Sequence, residues 1–237
     1  MKTLALPLLV GLLALAGCQH TQALMPTPTA FEDGNADPFA QLAADQRRTE
    51  YEVFVFTDRK PSGKPDPDSF YSNDRDLVGR LAIATVKVGA NMDWEELHQA
   101  SVETKRRTQP TLELVKVEEI GPLWTTVAPS PARFDPTPTA DAEARAPSEK
   151  FAAAINDKLA RSRQKDVFIF IHGFNTKFHE NLELTAELHH YLGREGAFVA
   201  YAWPSRDALL SYTVDKANAA YSTRMFRLFL DFLARET

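Results

Sequence analysis

Apolar residues along this chain are spaced first as in strands and then as in an alternation of helices and strands. Tyr51-Glu-Val-Phe-Val-Phe56 reads as a strand, Gly79–Val88 as a second, and Leu112, Leu114, Val115 and Val117, set among polar residues, as a third. Ser62–Asp76 reads as a polar loop just after Pro61, with Pro65 and Pro67 inside it, and Asp93-Trp94-Glu95-Glu96 as a capped short helix or turn. Beyond position 147 the period changes. Phe151, Ile155 and Leu159, spaced four apart, predict a helix over 148–163. Val167-Phe-Ile-Phe-Ile171 is an unbroken β-branched and aromatic run, the pattern of a parallel strand covered on both faces. Asn175 or Thr176 can cap a helix with an apolar face of Leu182, Ala186, His189 and either Leu188 or Leu192. Gly193 and Gly196 bracket its end, Ala197–Trp203 is another buried strand, and 216–235 is a final helix.

The order helix, strand, helix, strand, helix implies parallel strands joined by right-handed crossovers, so the fold class is α/β with a mainly-β N-terminal portion. The final helix is apolar over most of its circumference. Met225, Leu228, Phe229 and Phe232 line one face and Phe226, Leu230 and Leu233 another, so it needs cover on two sides. Two parallel strands offer little of that cover, and the second face is expected to lack a partner.

Composition narrows the function. A net charge of -5 with no basic stripe argues against a nucleic-acid partner. Cys18 is the only cysteine, which excludes an intrachain disulfide. Lys2 followed by the apolar stretch Leu4–Ala16 has signal-peptide form and is too short to span a bilayer comfortably. Leu15-Ala16-Gly17-Cys18 resembles the bacterial lipobox. The resemblance implies that residues 1–17 are a signal peptide and that Cys18 is acylated by palmitate-type chains and anchors the chain in an envelope membrane. Gln19, not Asp, follows the cysteine, which by the same resemblance favours the periplasmic face of the outer membrane. Residues 18–48 then read as a flexible tether, 49–128 as the mainly-β part, 129–147, with five prolines, as a surface linker, and 148–237 as a partial α/β domain.

A strand that stops on His172-Gly173-Phe174-Asn175 places a loop where α/β folds bind ligands. This motif resembles the oxyanion-hole loop of α/β-hydrolases. Together with Ala200-Tyr-Ala-Trp-Pro-Ser205, Tyr212-x-x-Asp215, Thr57-Asp58-Arg59 and Phe70-Tyr71-Ser72-Asn73, it resembles an esterase- or lipase-like bacterial branch of that superfamily over residues 50–235. The resemblance implies that Phe174 supplies a main-chain N–H to an oxyanion, Gly173 gives the turn and His172 braces the loop. It also implies an acyl-ester substrate and no cofactor or metal. No Gly-x-Ser-x-Gly elbow occurs, so no catalytic Ser, acid or His can be assigned. The expectation is an envelope lipoprotein of serine-hydrolase ancestry, truncated before its nucleophile or completed by a separate half. The alternative is a non-catalytic lipoprotein that keeps a hydrolase-like shell for binding.

Other residues carry weaker signals. Ser205 lacks flanking glycines and reads as a cap or turn. Asp66, Asp68, Asp74 and Asp76 lack the Gly and Glu of a calcium loop. His179-Glu180 has no second His at metal-binding spacing, and the adjacent His189 and His190 diverge on a helix, with His189 expected as a half-buried packing residue. Asp58-Arg59 reads as an internal ion pair or a substrate contact, with structure favoured, and Trp94, Trp124 and Trp203 as core.

Overall fold

The computed structural model describes residues 22–32, 36–124, 138–206 and 208–237. Cys18, the signal segment 1–17, the start of the tether and residues 129–137 of the expected linker lie outside the described residues. The elements are β1 (Glu50–Pro61), β2 (Tyr71–Val88), α1 (Trp94–Val102), β3 (Leu112–Pro122), α2 (Pro138–Arg161), β4 (Val167–Ile171), α3 (Phe178–Tyr191), β5 (Ala197–Ala202) and α4 (Tyr212–Glu236). They build one mixed sheet in the order β3-β2-β1-β5-β4. The fold is α/β, as the spacing predicts. None of the described helices is long and apolar enough to cross a membrane.

β1 joins the two halves of the sheet. It pairs antiparallel with β2, with Val53 opposite Ala84, and parallel with β5, with Val55 opposite Ala200. Because strand side chains alternate, β1 feeds two cores. Tyr51, Val53 and Val55 pack with Ala84, Val86 and, from α3, Phe178, Leu182 and Ala186. Phe54 and Phe56 pack on the other face with Phe151 and Ile155 of α2, Tyr201 of β5 and Phe229 of α4. Asp93 caps α1 through a capping box: its carboxylate accepts the Glu96 N–H at 2.9 Å, and the Glu96 carboxylate accepts the Asp93 N–H at 3.1 Å.

Several elements differ from the sequence reading. β2 begins at Tyr71, inside the expected loop, because β1 and β2 continue as a two-stranded ribbon past the sheet, with Arg59 opposite Arg75 and Pro61 opposite Tyr71. Such a ribbon needs paired backbone, not an apolar face, so hydropathy does not reveal it. α2 starts at Pro138, within the expected linker. The run Ala140-Asp-Ala-Glu-Ala-Arg-Ala146 is rich in helix formers. Pro147 inside α2 packs on Gly121, where an added Cβ would lie 2.9 Å from the proline ring, and the Ser148 hydroxyl accepts the Trp124 N–H at 2.8 Å. α3 is capped at Lys177, not at Asn175 or Thr176, and the Glu180 carboxylate accepts the Lys177 N–H at 2.9 Å.

The largest correction concerns β4. Both of its faces were expected to be covered, yet it is an edge strand, only half-buried, with Ile171 47% exposed. A run of large apolar residues fits a central strand and an edge strand equally well. α4 is also better covered than expected. Phe226 stacks on Tyr201 at 5.0 Å and Leu233 is buried, which leaves Leu230 at 41% exposure. Phe229 is fully buried and stacks on Phe56 at 4.2 Å with the rings within 5° of parallel. Phe229→Ala is therefore expected to cost about 3–5 kcal/mol in urea unfolding, and Leu230→Ala less than about 1 kcal/mol. Equal losses for the two variants would show that α4 does not dock as described.

Candidate active site

The parallel strands β1, β5 and β4 end together, in register from Thr57 with Ala202 to Ile171 with Tyr201. Their exits bring Thr57-Asp58-Arg59, His172-Gly173-Phe174-Asn175 and Trp203-Pro204-Ser205 beside the first turns of α4. His172 is buried and stacks on Trp203 at 4.9 Å with the rings 7° apart. Its Nδ1 faces the Gly173 carbonyl at 2.7 Å and its Nε2 faces the Trp203 carbonyl at 3.0 Å, while Trp203 Nε1 donates to the His172 carbonyl at 2.8 Å. Two carbonyls would suit an imidazolium. Burial and the neighbouring Arg59 charge outweigh them and bring the His172 pKa down to about 4. A neutral ring carries one N–H, so it donates to one of the two carbonyls and, stacked on Trp203, braces the loop against the end of β5.

Phe174 is 37% exposed, and its ring meets Tyr212 edge-on at 5.4 Å. Its backbone N–H has no acceptor among the described residues. The loop then turns through Asn175 at φ 57°, a left-handed conformation that Asn tolerates better than most residues. Gly173 is open on its side-chain face, with nothing within 4 Å of an added Cβ.

The neighbouring polar side chains satisfy one another. Ser205 is fully buried and donates to Asp215 Oδ2 at 2.7 Å, and its hydroxyl accepts the Thr176 N–H at 3.3 Å. Asp215 Oδ1 accepts the Arg206 N–H at 2.8 Å, and Asn218 donates to the Pro204 carbonyl at 2.7 Å. Arg59, also fully buried, donates to the Trp203 carbonyl at 3.0 Å, the Thr176 carbonyl at 3.0 Å and Asn73 Oδ1 at 2.6 Å. Burial lowers its pKa to about 10, which leaves it charged at neutral pH, with Asp58 and Asp215 favouring the charge. Asp58 turns the other way along β1, where it accepts from Ser222 at 2.6 Å and faces Tyr201 Oη at 3.4 Å; burial raises its pKa. Asp58 and Arg59 are thus two separate structural anchors and not a direct ion pair.

Sequence reasoning placed His172, Gly173, Phe174 and Ser205 at strand ends, and the structure brings all four to one end of the sheet. It missed Asn218 and Ser222. Asp215, Asn218 and Ser222 form a buried polar stripe at helical spacing on an otherwise amphipathic helix, and that stripe was legible in principle. The four loop aspartates do not converge. Asp66 accepts from Ser69, Asp76 pairs with Arg80, and Asp74 lies 3.8 Å from Arg206. His189 is fully buried, not half-buried, packed between Tyr51 and Phe198. Trp203 is a working part of the brace as well as core. Two clefts lie away from the loop, one near Tyr51 and His189 and the other near Asp66, Thr111 and Glu183.

A mixed sheet whose antiparallel strands lead into parallel ones, with a His-Gly loop at the parallel end, is consistent with an α/β-hydrolase architecture. Residues 148–237 match the family model described as "Alpha/beta hydrolase of unknown function (DUF900)", which supports membership of that superfamily for this part of the chain. No curated protein and no solved structure matches the chain.

The His172 brace has a pH signature. Its folded pKa, about 4, lies below the ordinary 6.5, so its contribution is complete above pH 6.5 and is lost as pH falls towards 4. Glu183 acts in the opposite sense: burial raises its pKa to about 8, so its contribution is lost as pH rises from 4.5 to 8. Comparing variant with wild type isolates His172. Urea unfolding of His172→Asn is expected to remove up to about 3 kcal/mol of stability loss between pH 6.5 and 4. Parallel pH curves for the two proteins would show that the imidazole is not held neutral.

Proposed function

We propose that this chain is the oxyanion-hole portion of a serine-type hydrolase that acts on acyl esters, held at a bacterial envelope membrane through lipid on Cys18. The observation that carries the reading is the exposed loop after β4, whose Phe174 N–H has no acceptor among the described residues while the side chains of Ser205 and Asp215 beside it are engaged. A main-chain donor suits a tetrahedral oxyanion because it is fixed before charge develops and is worth roughly 3–4 kcal/mol. The outer edge of β4 supports the same reading. A parallel strand added there would sit about 4.7–4.9 Å away and end beside Phe174, within reach of a nucleophile carried on its terminal turn. Ser205 does not serve as that nucleophile: it is fully buried, and its proton is held by Asp215 rather than by a histidine. In this reading the chain itself supplies no catalytic Ser, acid or His. The half-exposed Phe174 and exposed Tyr212 offer an apolar wall for an acyl chain.

A second reading, a non-catalytic binding shell, is favoured by one observation. Ser205, Asp215, Asp58 and Ser222 are fully occupied in holding the sheet end together.

The native gene product, isolated from its source cells, separates the two readings. Hydrolysis of a p-nitrophenyl acyl ester that falls about 100- to 1000-fold further in kcat in Phe174→Pro than in Phe174→Ala, which loses the same ring but keeps the N–H donor, supports the hydrolase. No turnover by the native product, or equal turnover in the two variants, supports the binding shell. Anchoring is tested separately. Cys18→Ala is expected to move the protein from the membrane fraction to the soluble or uncleaved fraction, and a mature variant that still sediments with membranes would refute the lipid anchor.

A further inference from the structure

At the end of the sheet opposite the His172 loop, a cleft of about 370 Å³ opens between the segment 45–52, α2 and the end of α3. That is enough space for a small-molecule group. Arg48, Lys158, Arg161 and Arg194 line it, against two exposed carboxylates, Asp45 and Glu52. Neither Arg48 nor Arg161 has an ion-pair partner for its guanidinium among the described residues. Glu195, the nearby acid that would balance them, is taken by Arg163 at 2.8 Å.

Arg194 builds the inner wall. It is buried between the rings of Tyr51 at 4.5 Å and Trp94 at 4.7 Å, and it donates to the carbonyls of Gln46 and Arg48 and towards His190 Nδ1. Its own carbonyl accepts from Lys158 Nζ at 3.1 Å, and an ammonium has two further N–H groups to offer. Burial lowers the Lys158 pKa; the Glu195 carboxylate opposes that, and the charges of Arg161, Arg194 and Arg48 add to it, so these cations sit in one another's field. Beside them is an independent anomaly. Both ring nitrogens of His189, which lines the cleft, and Nε of Arg194 are buried with no hydrogen-bond partner. Buried polar atoms are seldom left in this state, and a bound acceptor would satisfy Arg194 Nε and the one N–H of the His189 ring, which burial keeps neutral.

We propose that this cleft binds a small ligand presenting a phosphate-class oxyanion, with Lys158 and Arg161 as its principal contacts and His189 and Arg194 forming the wall behind it. Guanidinium and ammonium groups converging from two elements match an oxyanion with several acceptor oxygens. The site is distinct from the hydrolase-like loop and does not depend on it.

Calorimetric titration of the full-length chain with inorganic phosphate, against chloride at equal ionic strength, tests the proposal. Saturable one-to-one binding with a Kd below about 1 mM is expected, weakened about tenfold or more in both Lys158→Met and Arg161→Gln. Arg227→Gln, which removes an equal charge from exposed α4 surface, should bind as wild type does. Dihexanoyl phosphatidate that binds at least about tenfold more tightly than phosphate, with the gain lost in Arg161→Gln, would identify a lipid headgroup as the source of the oxyanion. Heats no different from chloride, or Arg227→Gln weakening binding as much as Arg161→Gln, would overturn it.

Discussion

A guanidinium removed from water must give its N–H groups to other acceptors, and the functional end of this sheet is arranged around that requirement. Arg59 reaches the exit of β5 through the Trp203 carbonyl, the entry to α3 through the Thr176 carbonyl, and the ribbon extension of β2 through Asn73. Three segments distant in sequence are thereby fixed to the end of the central strand. The His172 loop inherits its position from this anchor, because the same Trp203 carbonyl that accepts from Arg59 faces His172 Nε2. Truncating Arg59 would do more than lose a charge. It would leave the Thr176 carbonyl without its donor and cut the tie between the start of α3, β2 and the end of β5.

With its side chains committed in this way, the site has an unusual division of labour. Ser205, Asp215, Asp58, Ser222 and Tyr201 read as reactive groups by type, yet each is spent on another. What remains for a ligand is main chain at Phe174, an open face at Gly173 and an apolar ring pair. An arrangement of this kind can stabilise developing charge without itself reacting.

Much of this was legible in the sequence. The strand runs at 51–56 and 197–202, the helix marked by Phe151, Ile155 and Leu159, and the loop at His172 all stand where residue spacing put them. Local pattern failed where the determining partner is remote. The edge position of β4 depends on what pairs with it, and a run of Val, Phe and Ile is the same string in either place. The ribbon from Tyr71 is held by backbone pairing that hydropathy does not register. The onset of α2 was hidden because prolines were weighed above the alanine-rich run between them. Arg59 gave no sign of its role, since all three of its acceptors lie on other segments of the chain.

The exposed margin of β4 has a consequence for handling the protein. Natural edge strands are usually protected by a lysine, a proline, a bulge or an overlying loop. Val167-Phe-Ile-Phe-Ile171 contains no charge and no proline, and it pairs with β5 without a register shift. Five consecutive residues of high β propensity along an open edge are a template for a second strand of any origin, including the same segment of another molecule. Concentrated samples are therefore exposed to edge-to-edge self-association, and Ile171→Lys, at the one exposed position of the strand, would act as a gatekeeper that keeps the chain monodisperse.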